Sequence, residues 1–114
     1  MKKLTIFDLA TILQLSEEVK EDLKNNFDSW DDGLKYEIQK TLWDGVHELK
    51  DRLAKLKYEE LLLEVDYEKR PLSADLYSEA VKLVWKDFDK IISGNNKILE
   101  KIEPANIKLN LPPV

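Results

Sequence analysis

The chain has no cysteine, a single histidine, three glycines and four prolines in 114 residues. Each scarcity removes a class of chemistry. Without cysteine there is no thiol nucleophile, no disulfide framework and no cysteine-ligated zinc. One histidine, His47, cannot supply the paired histidines of a di-iron helical site. No glycine-rich phosphate loop and no nucleophile elbow is present. No apolar run approaches membrane-spanning length. Concentrated positive charge is missing too. Residues 1–30 hold four lysines against six acids, 31–70 hold eight bases against eleven acids, and 71–114 hold six of each, for a net charge of −5. The electrostatic footprint of a nucleic-acid binder is therefore lacking.

What is present points to helices. Hydrophobic residues make up 43% and charged residues 36%, with leucine, lysine and glutamate abundant. Leucine, lysine and glutamate are good helix formers, and scarce glycine and proline leave long segments uninterrupted. A chain of this length forms one domain and buries about two-thirds of its unfolded surface, enough for a core without staples. The pattern predicts a first helix over about Ile6–Leu15, opened by Thr5 with Asp8 in capping-box spacing. Ser16 opens a second helix to about Asn25, with Val19, Leu23 and Phe27 on its apolar stripe.

The main feature is a third helix over about 30–69, which no proline interrupts. Leu42, Val46, Leu49, Leu53, Leu56 and Leu63 follow four-three spacing, with Glu60 filling one slot, as in a heptad seam. A second stripe runs through Trp43, His47, Ala54, Tyr58, Leu61 and Val65, so this helix is covered from two sides. Arg70-Pro71 stops it. Ser73 caps a fourth helix over 74–93, which closes at Gly94 in a left-handed conformation. A short fifth helix carries Ile98, Leu99 and Ile102 and stops before Pro104. In the tail 104–114, Ile107, Leu109 and Leu111 alternate with polar residues, the period of an extended strand.

Four features invite a chemical reading. Asp28-Ser29-Trp30-Asp31-Asp32-Gly33 resembles the start of an EF-hand loop, with Asp28 and Asp32 at ligand positions one and five. Trp30 then occupies position three and Gln39 position twelve, where oxygen ligands are needed. The same residues make a helix start, with Asp28 or Ser29 as cap and Asp31 and Asp32 against the dipole. Residues 8–19 loosely resemble the helix-turn-helix of DNA-binding repressors, in the Leu9-Ala10 pair, Leu13 and the Ser16 start. Gln14 stands where the turn glycine belongs, and Glu17, Glu18, Glu21 and Asp22 would meet phosphates with like charge. Asp44, His47 and Asp51 share one helical face, a possible metal set or an imidazole held by carboxylates. Acid pairs such as Glu59-Glu60 and Asp87-Asp89 read as solvated faces with i, i+4 partners.

The expectation is thus an all-α fold: an antiparallel bundle of four to five helices over 1–103, plus an extended tail over 104–114. The long central helix (30–69) forms a coiled-coil-like hairpin with helix 74–93. The expected function is a non-enzymatic protein-interaction or assembly module that self-associates, with a second copy or another protein as partner. Its expected contact residues are Trp30, Leu53, Leu56, Leu63, Ile107, Leu109 and Leu111. The alternative is a small DNA-binding regulator with a degenerate helix-turn-helix at 8–23. No cofactor, metal or membrane partner is expected. Asp8 interrupts the apolar run after Met1-Lys2-Lys3 and no small-residue cleavage site follows, so the expected location is cytoplasmic.

Overall fold

A computed structural model describes residues 3–69 and 75–94, together with Ile102, Leu109, Leu111 and Pro112. Among these residues the chain is all-α. It comprises α1 (Ile6–Ile12), α2 (Glu17–Asn26), a single 3-10 turn (Phe27–Ser29), α3 (Asp32–Asp66) and α4 (Leu76–Ile92), with no strand. The expected fifth helix and the Ser73 cap lie outside the described residues.

The helix starts follow local side-chain chemistry. The Asp8 backbone N–H donates to Thr5 Oγ1 at 3.2 Å, and the Thr5 N–H donates to Asp8 Oδ2 at 3.0 Å. This closes the capping box read from the sequence. Ser16 Oγ accepts the Val19 N–H at 3.2 Å and opens α2. The start of α3 differs from the expectation. Ser29 Oγ donates backwards to the Asn26 carbonyl at 2.6 Å, within the 3-10 turn. Ser29 thus lies two residues ahead of the cap position, which Asp31 occupies, its Oδ1 accepting the Leu34 N–H at 2.8 Å. The helix begins at Asp32 rather than Trp30.

Three of the four helices, α1, α3 and α4, end in a left-handed residue, a glycine only after α4. At the end of α1, Gln14 has φ 56. The Leu15 N–H donates to the Ala10 carbonyl and the Gln14 N–H to the Thr11 carbonyl, both at 3.1 Å. At the end of α3, Glu68 has φ 58. There the Lys69 N–H donates to Glu64 O at 2.9 Å and the Glu68 N–H to Val65 O at 3.0 Å. Both are Schellman pairs of hydrogen bonds. The second ends α3 at Asp66, ahead of the expected Lys69. Helix α4 starts at Leu76 rather than 74. It is followed by Gly94 at φ 96, as expected.

Packing is organised by α3 and α4. Tyr58 meets Tyr77 edge-on at 5.7 Å between centroids, and His47 meets Trp85 at 6.3 Å. Later residues of α3 thus face earlier residues of α4, and the two run antiparallel. Leu76, Ala80, Val84, Phe88 and Ile91 form the buried stripe of α4. Phe88 is fully buried and takes the edge of Trp85 at 5.4 Å and 87°. Most buried residues form one cluster that joins α1, Leu23 of α2, the first half of α3 and the second half of α4. Leu61, Leu76 and Ala80 form a smaller one. The result is elongated. The radius of gyration is 16.7 Å and the extents are 56 × 26 × 24 Å, whereas a compact domain of this length has a radius of about 13 Å.

The left-handed ends give a direct test. Glu68→Gly removes a side chain from a conformation that costs L-residues about 1 kcal/mol, so it should raise stability by up to that amount in urea unfolding. Gly94→Ala should lower stability by a similar amount. An added Cβ at Gly94 meets nothing within 4 Å, so that loss would be backbone strain alone.

Candidate protein-interaction face

The two apolar stripes of α3 occupy different sides of the helix. At 100° per residue, Ile38, Leu42, Val46, Leu49 and Leu53 fall in one sector about 80° wide. Trp43, His47, Ala54, Tyr58, Leu61 and Val65 fall in a second, about 60° wide, whose centre is rotated by roughly 130°. Helix α4 lies over the second sector along its length, from the Tyr58–Tyr77 contact to the His47–Trp85 contact. The first sector is buried together with Leu9, Ala10, Ile12 and Leu13 around α1, Leu23 of α2 and Ile102.

These covers differ in reach. Helix α1 has 7 residues, a length of about 10 Å. Helix α3 has 35, a length of about 52 Å. The first sector is therefore buried at Leu42, Val46 and Leu49 and half-buried at Leu53. Beyond that it emerges: Leu56 is 55% exposed and Leu63 is 54% exposed. Tyr67 continues the same line at 71%. The seam read as one continuous stripe is thus two stretches, one covered and one open. Tyr67 was not picked out from the sequence. Its signal was there, four residues after Leu63, but a tyrosine next to the helix stop does not read as a seam position.

The other expected contact residues lie elsewhere. Trp30 is half-buried, with its ring edge-on to Phe27 at 6.0 Å, and it packs on the main core. Leu109 and Leu111 are also partly buried against that core. The Leu111 N–H donates to the Leu109 carbonyl at 3.0 Å, a spacing typical of a tight three-residue turn. Leu111 borders a shallow cleft with Glu18, Val19, Asp22 and Asn26 of α2. Ile107 lies outside the described residues. Gln14 Nε2 donates to the Ile102 carbonyl at 3.0 Å, tying the later segment to the α1–α2 turn. No sequence pattern announced that bond.

The polar candidates are engaged locally. His47 stacks on Trp43 at 5.5 Å and 28° and makes an edge contact with Trp85 at 6.3 Å and 81°. Asp44 pairs with Lys40 at 3.8 Å, and Asp51 with Lys50 at 2.9 Å. The hydrogen bond from the Lys50 ammonium holds the Asp51 carboxyl below its ordinary range. Asp31 is a cap. Among the described residues no group of three or more His, Asp or Glu side chains is placed to hold a metal ion. No helix among them is long and apolar enough to cross a membrane. No match was found to any protein-family model, curated protein or solved structure.

The open and covered halves of the seam should respond differently to truncation. Leu49→Ala should cost 2–5 kcal/mol, as for a buried leucine. Leu56→Ala and Leu63→Ala should each change stability by no more than about 0.5 kcal/mol. Urea unfolding at low micromolar concentration, where association does not contribute, measures the difference.

Proposed function

We propose that this chain is a non-enzymatic helical interaction or assembly module. In this reading it is an antiparallel bundle of four to five helices, with α3 and α4 as a coiled-coil-like hairpin. The outer face of α3 beyond Leu53 receives another protein, a second copy of the chain first among the partners. The supporting observation is the emergence of the first α3 sector at Leu56, Leu63 and Tyr67. Two leucines and a tyrosine at seam spacing, each more than half exposed, leave apolar surface in water that a partner helix would cover.

The DNA-binding alternative is weaker on charge. The α1–α2 turn does have a left-handed residue at Gln14. However, α2 carries Glu17, Glu18, Glu21 and Asp22 against Lys20 and Lys24, and a phosphate backbone would be repelled. Catalysis has no assembled polar cluster to support it, since the acids near His47 are paired with lysines and its ring packs against Trp43 and Trp85.

A photo-reactive amino acid placed singly at Leu56, Leu63 or Lys86 in the full chain tests the reading in cells. Crosslinks to protein are expected from positions 56 and 63 and not from Lys86, which is exposed on α4. Equal yields at all three positions, or none, would reject an interaction face on α3.

A further inference from the structure

Resting on the interaction reading above, we infer that the occupant of the open α3 face is a second copy of the chain, packed antiparallel through residues 50–68. Charge selects both the partner and the orientation. Residues 50–57, KDRLAKLK, carry four bases and one acid. Residues 58–68, YEELLLEVDYE, carry five acids and no base. The seam of α3 thus opens at the end of a basic block and continues open through an acidic one.

That order does not serve the isolated helix. Helix dipoles favour acids near the N-terminus and bases near the C-terminus, and the last turn of α3 holds no base. The Lys57–Glu60 pair, at 3.4 Å, also runs in the less favourable direction, with the base N-terminal to the acid. Two copies side by side and antiparallel turn the pattern to advantage. In the register that sets Arg52 against the partner's Asp66, the basic half of each lies against the acidic half of the other, with the two Glu59 side chains meeting at the centre, and the two dipoles oppose.

A parallel pair is disfavoured by the same residues. With Leu56 and Leu63 at heptad d positions, Arg52 and Glu59 fall at g, and Lys57 and Glu64 at e. Parallel helices set each g residue beside the e residue that follows it in the partner. Arg52 would meet the partner's Lys57 and Glu59 the partner's Glu64, like against like. Glu60, at an a position, would face its own copy.

The chain's own tail is a poorer occupant. Ile102, Leu109 and Leu111 already pack on the main core, at the α1–α2 side. Helix α4 sits on the other sector of α3, so a second copy reaches the open face unobstructed by it. The stretch offered is about five helical turns per copy, at the small end of specific interfaces, below roughly 1,200 Å² in total. Association should therefore be reversible and concentration dependent.

Sedimentation equilibrium of the full chain, from micromolar to millimolar, should show the mass rising from 13.4 kDa towards twice that value. The rise should disappear in Leu56→Ala/Leu63→Ala and weaken in high salt. Orientation is read separately, because the chain contains no cysteine. Arg52→Cys and Asp66→Cys are made singly at exposed positions, with helical content checked by circular dichroism. Under mild oxidation an equimolar mixture should yield the mixed disulfide. Each variant alone should not crosslink, since like positions lie roughly 20 Å apart along an antiparallel pair. Self-crosslinking of each variant without the mixed product means a parallel pair and overturns the inference. A chain that stays monomeric at millimolar concentration also overturns it. In that case photo-crosslinks from positions 56 and 63 to other proteins would leave the broader interaction reading standing.

Discussion

The antiparallel packing of α4 along the Trp43–Val65 side of α3 is the contact on which the other elements depend. It buries Ala54 and Leu61 of one helix against Leu76, Ala80 and Val84 of the other. It also carries the aromatic contacts Tyr58–Tyr77 and His47–Trp85. With that side occupied, the remaining apolar sector of α3 can be covered only from a direction roughly 130° away. Helix α1 provides that cover, and it touches both long helices. Because α1 is short, it closes the core at one end and, among the described residues, leaves only α3 and α4 at the other.

This division places stability and interaction in different parts of one helix. Around Leu42, Val46 and Leu49 the chain is enclosed, and truncation there opens cavities. Around Leu56 and Leu63 the same sector meets solvent, so the leucines contribute little to the fold of a single copy. The charges follow the division. Acidic and basic residues mix along the covered half but separate into a basic and an acidic block where α3 is open. A surface shaped only for solubility has no need of that separation.

Much of this architecture was legible in the sequence because it is local. Thr5, Ser16 and Gly94 act where the pattern put them, since caps and left-handed ends are decided within a few residues. Both stripes of α3 were also legible. What was not legible was which neighbour covers each stripe and how far. That depends on α1 ending at Ile12 and on the path of the segments near Ile102 and Leu109, contacts of long sequence separation. Likewise Ser29 looked like a cap, but the 3-10 turn it belongs to sets the start of α3 two residues later, at Asp31. Trp30, an expected contact residue, has its ring against Phe27 across the 3-10 turn.

The sequence by itself determined the helical class, the proline-free run that becomes α3 and the absence of thiol chemistry, because propensity and composition act residue by residue. It also determined the charge blocks at 50–57 and 58–68. Only the tertiary structure decided which leucines of the α3 seam are core and which are surface. Leu49 and Leu56 are the same residue type, seven positions apart and on nearly the same face, yet the first is 2% exposed and the second 55%. The difference is not written at either position. It arises because α1 is about one-fifth the length of α3 and ends before it can shield the second leucine.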